Sequence, residues 1–267
     1  MTFNECAAHD AANTILEEYV IPSTLMAPII EEALQSGGQS DELAAHDTHG
    51  GFRPAPPTEE RTPMEEAFRW LDLGASVEDV YIDLLAPAAR KLGDLWATDE
   101  CDFVDVTMGV WRLQEVMRAV SMRSPPSPAT AGRPRRALFC PIPGEAHSFG
   151  AQMIDEVFAR AGWTSDVLLN PKRRDLLNYL SRYPVDLIGL TVTRDCPVSA
   201  LKSLVKAIRN ASLKSNLCVL IGGRMIDKNP SLSNDIGANG TARDARAALR
   251  LAETLVPPAP AITRALS

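Results

Sequence analysis

Four short segments in the C-terminal half carry the side chains best suited to hold a ligand. They are Gly144-Glu145-Ala146-His147-Ser148-Phe149-Gly150, Thr191-Val192-Thr193, Gly222-Gly223-Arg224 and Gly237-Ala238-Asn239-Gly240-Thr241-Ala242. A neutral imidazole is a good ligand for a transition-metal ion, and a carboxylate bonded to its other nitrogen fixes tautomer and orientation. Glu145, two residues before His147, is placed for that role. Paired glycines at a strand end let a flat or bulky ligand touch the backbone. Thr191 and Thr193 are alternate residues of a strand, so both hydroxyls can line one wall. Each feature also has an ordinary reading. A loop histidine is usually a surface residue, Gly-Gly after a strand is common in α/β folds, Thr-Val-Thr is simple strand chemistry, and Gly-Ala-Asn-Gly is a turn. The signal lies in their order and in the element on which each one sits.

Those elements follow from hydrophobic period. Arg136–Pro143 is a short apolar strand, and a helix follows over His147–Ala161. Trp163–Asn170 reads as the second strand and Arg173–Tyr183 as a helix. Val185–Thr193 is a near-continuous apolar run, as in a parallel strand covered on both faces. A helix over Pro197–Asn210, a strand over Leu217–Gly223, a short fifth strand within Asp235–Ala242 and a last helix over Ala242–Leu255 complete the pattern. Alternating elements of this length predict a flavodoxin-like, doubly wound parallel sheet. Ligands of such sheets bind beyond the carboxyl ends of the strands, where the four segments fall.

Upstream the period is helical on either side of one segment without periodicity. Asp10–Gln35 reads as a helix that Pro22 and Pro28 kink or divide. Ser36–Pro63 is rich in Gly, Pro and charge and reads as a mobile insert. Thr62-Pro63-Met64-Glu65 is a capping box with proline at the first helical position. Ser76 caps the next helix, with Glu78 and Asp79 in its first turn and an apolar stripe through Val80, Leu84, Leu85, Ala88, Leu92, Leu95 and Trp96. A further helix spans Asp102–Met122. The expected organisation is an N-terminal helix and insert at 1–61, a helical-bundle cap at 62–123, a linker at 124–136, the α/β domain at 137–256 and a tail at 257–267.

The chain has 267 residues, a net charge of −7 and 45% hydrophobic residues, which supports one large or two modest domains. The acidic balance argues against sequence-independent DNA binding, which needs a basic face. Arg133, Arg135 and Arg136 form one local basic cluster, and Lys172, Arg173 and Arg174 another. No apolar run reaches the roughly 18 residues of a membrane span. The acidic N-terminus is unlike a secretory signal. Five cysteines without CxxC spacing suit a reducing cytoplasm.

Taken together, these motifs resemble the cobalamin-binding domain shared by methionine synthase, corrinoid methyltransferase proteins and B12-dependent photoreceptors. That family carries Asp-x-His-x-x-Gly after strand one, Ser-x-Thr or Ser-x-Leu on strand three, and Gly-Gly after strand four. Glu145-Ala146-His147-Ser148-Phe149-Gly150, Thr191-Val192-Thr193 and Gly222-Gly223 occupy those places. The resemblance implies that His147 displaces the dimethylbenzimidazole tail and becomes the lower axial cobalt ligand. The tail would lie in a slot lined by the strand-three and strand-four motifs, with Ser148, Phe149, Gly150, Arg224 and Gly240 among the cofactor-binding residues. Leu84–Phe103 resembles the cap over the corrin's upper face, which makes Trp96 a corrin contact. Glu145 stands where the family has Asp, so the bond to His147 must be rearranged or lengthened, and Thr191 replaces Ser. CarH-type photoreceptors carry Glu-His where this chain has Val106-Thr107, so their light-state upper ligand is missing.

The cap pattern from Trp96 to Gln114 is closer to the AerR/PpaA antirepressors and the related sensor domain of AppA. That resemblance implies a cytoplasmic, non-enzymatic regulator. It would bind cobalamin (hydroxocobalamin or adenosylcobalamin) and engage a CrtJ/PpsR-type repressor of photosynthesis genes, with DNA contact indirect or weak. The insert and the linker are the candidate switching segments. Two alternatives remain at this level. One is a corrinoid methyl carrier of a methyltransferase system. The other is a haem sensor on the same fold, in which Cys101 and Cys140 could also take part.

Overall fold

The computed structural model describes residues 62–126 and 135–257, and the backbone of 45–46 and 52–53. The expected helix over 10–35, nearly all of the insert, the centre of the linker and the tail beyond 257 lie outside the described residues. The chain divides into two compact units, residues 1–124 and 125–267.

In the first unit, β1 (Ala45–His46) pairs antiparallel with β2 (Phe52–Arg53). Four helical segments follow. α1 (Pro63–Asp72) starts on the expected capping box: Glu65 N–H donates to Thr62 Oγ1, and Thr62 N–H donates to the Glu65 carboxylate. α2 (Val77–Asp79) starts on a second box between Ser76 and Asp79. It continues through a π-helical turn (Val80–Leu85) into α3 (Ala86–Ala97). The wide turn has a local cause. Pro87 has no N–H to give the preceding turn, and Ala86 N–H donates five residues back to Tyr81 O. α4 (Phe103–Arg123) starts on a third box, Asp102 with Asp105.

The core of this unit is the stripe Val80, Leu84, Leu85, Ala88 and Leu92 with Leu113, Val116 and Val120 of α4. Gly109 admits Leu92, whose side chain lies 2.7 Å from where a Cβ would stand. Glu66 is buried with its charge and is compensated locally. Arg69 Nε and Nη2 donate to it at 3.0 and 2.7 Å, and Trp70 Nε1 donates at 2.9 Å.

The second unit is a five-stranded parallel sheet, β3 (Arg136–Pro141), β4 (Thr164–Val167), β5 (Leu187–Thr191), β6 (Cys218–Gly222) and β7 (Gly240–Thr241), in the order β4-β3-β5-β6-β7. This is the predicted flavodoxin-like arrangement. The helices are α5 (Phe149–Arg160), α6 (Arg173–Leu180), α7 (Val198–Ala211) and α10 (Ala245–Leu255). Two short helices, α8 (Arg224–Lys228) and α9 (Leu232–Asp235), occupy a stretch the sequence pattern leaves blank.

Residue alternation sends Leu138, Cys140, Ile188, Leu190, Val219 and Ile221 to one face, against α6 and α7. Ala137, Phe139, Leu187, Cys218 and Leu220 go to the other, with Ala151 and Phe158 of α5 and Ala248 and Ala252 of α10. Phe139, Phe158 and Trp163 stack edge-on at centroid distances of 4.7 and 5.3 Å. The Phe139 ring fills the space beside Gly189, 2.6 Å from where its Cβ would be.

The chain reverses direction across the sheet between β3 and β5. Their loops therefore leave in opposite directions and open a crevice at the carboxyl ends. Two arginines of the first basic cluster are engaged within this unit. Arg135 lies 4.3 Å over the Trp163 ring and pairs with Glu253, and Arg136 pairs with Asp166.

Candidate cofactor site

The crevice is built by the loops after β3 and β5. Gly144, at φ +88°, turns the first loop, and Ile142 N–H ties that loop to β5 by donating to Thr191 O at 3.1 Å. The turn directs the Glu145 side chain inward, where only 1% of it remains exposed. His147 stays outside, 62% exposed. It precedes α5 rather than opening it, since that helix begins at Phe149.

Glu145 Oε1 lies 2.5 Å from His147 Nδ1, and Oε2 accepts from Thr193 N–H at 2.9 Å and Arg194 N–H at 3.3 Å. Burial pushes the Glu145 carboxyl up, but the bonds from His147, Thr193 and Arg194 outweigh it and hold the group below its ordinary range. A carboxylate can only accept, so Nδ1 carries the proton of the neutral imidazole. The lone pair is then on Nε2, the nitrogen facing away from Glu145. The bond to His147 is short, and the other carboxylate oxygen reaches the β5–α7 loop.

Thr191 and Thr193 do not act as a matched pair. The ladder ends at Thr191, and Thr193 lies in the loop beyond, where its backbone N–H serves Glu145. Thr191 Oγ1 is buried and has no hydrogen-bond partner among the described residues. An orphaned buried hydroxyl costs about 1–3 kcal/mol, which a ligand group reaching it would recover. Gly222 pairs with Thr191 across the ladder, and Gly223 follows at φ +99°. A Cβ on Gly223 would stand 2.7 Å from Val192 O, so this glycine is required by its own neighbour strand. Gly240 is likewise a packing glycine, with Leu251 2.9 Å from the place of its Cβ. Phe149 is buried, Ser148 precedes α5, and Arg224 opens α8 as an exposed residue.

Gly150, unlike Gly223 and Gly240, has an open Cβ position. Gly150→Ala is expected to fold with wild-type stability, since alanine suits the first turn of a helix better than glycine. Any loss should appear only in ligand binding, because the new methyl group occupies space a ligand would use. Parallel thermal melts and cofactor titrations check this, and a lowered melting temperature would disprove it.

Sequence reasoning missed Arg194. Its guanidinium donates to Gly144 O at 2.7 Å, and Nε lies 3.8 Å from Glu145 Oε1. Nothing in the sequence pattern marks this residue, because its role depends on the two loops meeting.

In the first unit Trp96 lies in the last turn of α3, 48% exposed, with its ring edge-on to the exposed Phe103 at 6.3 Å. Asp99, Cys101 and Asp105 help line the recess beside them. Thr107 turns its hydroxyl back onto Phe103 O at 2.7 Å. Burial pushes the Cys140 thiol up to about 12. Burial, followed by the acids Asp105, Asp102 and Glu100, also raises Cys101. Neither residue is a ready thiolate ligand. Among the described residues no cluster of three His, Cys, Asp or Glu could hold a bare metal ion, and no helix is long and apolar enough to cross a membrane.

Comparison with known proteins bears on both units. Over 168 residues the chain is 26% identical to the 20.5 kDa protein of the bchF-crtJ intergenic region of Rhodobacter capsulatus, covering 63% of this chain and 87% of the relative. The monomethylamine corrinoid protein of Methanosarcina barkeri matches in fold with a TM-score of 0.60 at 18% identity, over 73% of this chain and 90% of that one. A cobalamin-binding protein of Desulfitobacterium hafniense aligns with 89% of this chain and 100% of its own at 13% identity, with a TM-score of 0.42. The B12 binding domain family model matches residues 64–121, the stretch from the start of α1 almost to the end of α4. Residues 64–121 of this chain are thus similar to the B12 binding domain family.

Proposed function

We propose that the chain binds a corrinoid through His147 and acts as a cobalamin-responsive antirepressor of a CrtJ/PpsR-type repressor. The observation that carries the reading is the Glu145–His147 pair at the switch point of the sheet, with Nε2 left free. A corrin supplies the four equatorial nitrogens of its cobalt, so one protein imidazole is a sufficient donor set. His147 would hold the metal, Thr191 Oγ1 offers a hydrogen bond to a buried polar group of the tail, and Gly150 leaves room for the ring. Bound there, a corrinoid supplies a cobalt centre whose axial ligands exchange with light or redox state.

What the chain contributes is an oriented imidazole, a carboxylate held ionised behind it, and the buried Thr191 hydroxyl. An iron porphyrin would accept the same imidazole. The B12 binding domain match at 64–121 favours the corrin. The regulatory part of the reading draws on the relative encoded beside crtJ. It makes the chain a binding protein rather than an enzyme, and any effect on DNA runs through the repressor.

A linkage experiment tests this. The affinity of the repressor for the cobalamin-loaded chain should differ from that for the empty chain by roughly 5–150-fold. By reciprocity, saturating repressor must change cobalamin affinity by the same factor. Equal repressor affinity for loaded and empty protein would sink the antirepressor reading.

A further inference from the structure

We propose that Arg194 is a positioning residue for the axial imidazole, acting through the loop that carries it. The inference rests on the reading of His147 as cobalt ligand. Arg194 engages two consecutive residues of the β3–α5 loop. Its guanidinium donates to Gly144 O at 2.7 Å, and its backbone N–H donates to Glu145 Oε2 at 3.3 Å. The Nε–Oε1 separation of 3.8 Å adds only a weak ion pair, because the Arg194 side chain is 66% exposed. The charge-assisted bond to the Gly144 carbonyl is the stronger contact.

Below Gly144 the loop is pinned by Ile142 N–H to Thr191 O and by Glu145 N–H to Ile142 O. Above it, Arg194 is the side chain that closes the turn from the opposite loop. Gly144 sits at φ +88° with no atom within 4 Å of its Cβ position, so local packing does not hold this peptide. The direction of His147 Nε2 is set by Glu145, and the seat of Glu145 is set by the Gly144–Glu145 backbone. Removing the guanidinium frees that backbone to rock, and a shift of a few tenths of an ångström there is passed on to the donor nitrogen. Such supporting contacts typically change metal affinity by about 10–100-fold.

The test uses the full chain loaded with cobalamin and reduced to Co(II), with histidine-15N-labelled and unlabelled protein compared by electron paramagnetic resonance. Wild type should show axial nitrogen splitting that changes with the label, which marks histidine as its source. Arg194→Ala should lose most of the label-sensitive component and bind cobalamin about tenfold more weakly at an unchanged melting temperature. Arg194→Lys, which can still reach one carbonyl, should recover part of both. A wild-type signal that ignores the label overturns the reading of His147 and this inference with it. A label-sensitive wild-type signal that Arg194→Ala leaves intact, at wild-type affinity, overturns the inference alone.

Discussion

Replacing His147 by alanine removes the imidazole that Glu145 orients at the crevice. Cobalamin affinity should fall by at least tenfold, about 1.4 kcal/mol, and toward a hundredfold if water is a poor substitute ligand. Stability should scarcely change, because the ring is 62% exposed and bonds only Glu145 among the described residues. The label-sensitive splitting should vanish. Glu145→Gln should fall between the two proteins, since it keeps the shape but can present its amide N–H to Nδ1, favouring the tautomer with the proton on Nε2. Spectral titration of the three proteins decides. If His147→Ala binds like wild type, the cofactor is held by the slot alone and the axial role of His147 is wrong.

Much of this site could be read from the sequence because its parts lie at strand ends, and strand ends are set by hydrophobic period. The runs that became β3, β5 and β6 are short, apolar and bounded by Pro, Gly and polar residues. Their carboxyl ends therefore locate Glu145, His147, Thr191 and Gly223 without coordinates. The capping box at Thr62 and the cap at Ser76 fixed the starts of α1 and α2 in the same way, whereas the Asp102–Asp105 box of α4 emerged only in the structure.

Other features required three dimensions. The grip of Arg194 on Gly144 joins positions fifty residues apart, and the separate roles of Thr191 and Thr193 depend on where the β5 ladder stops. The π-helical turn before Pro87 follows from a missing N–H, but its position could not be read from apolar spacing, which passes through it unchanged. The short helices α8 and α9 are too brief to show a period.

Glycine is the residue on which the sequence reading changed most, and Gly223 gives the second large effect. Gly223→Ala should destabilise the α/β unit by about 3 kcal/mol. A residue with a Cβ at φ +99° costs about 1–2 kcal/mol in backbone strain. Overpacking against Val192 adds about 1–3 kcal/mol, because the neighbours at 2.7, 2.9 and 3.0 Å are backbone O, N and C that cannot rotate away. Those same atoms accept Met225 N–H and donate to Gly222 O, so the strain should also loosen the β5–β6 junction. Urea unfolding should show a lower midpoint at unchanged slope, and the melting temperature should drop by roughly 10 °C. Gly144→Ala supplies the contrast. Its φ of +88° is just as demanding, but its Cβ position is empty, so only the strain should register, at about 1–2 kcal/mol. If Gly223→Ala proves no worse than Gly144→Ala, the close approach to Val192 does not govern this position. Gly223 would then be kept for the ligand, as its place in the Gly-Gly motif first suggested.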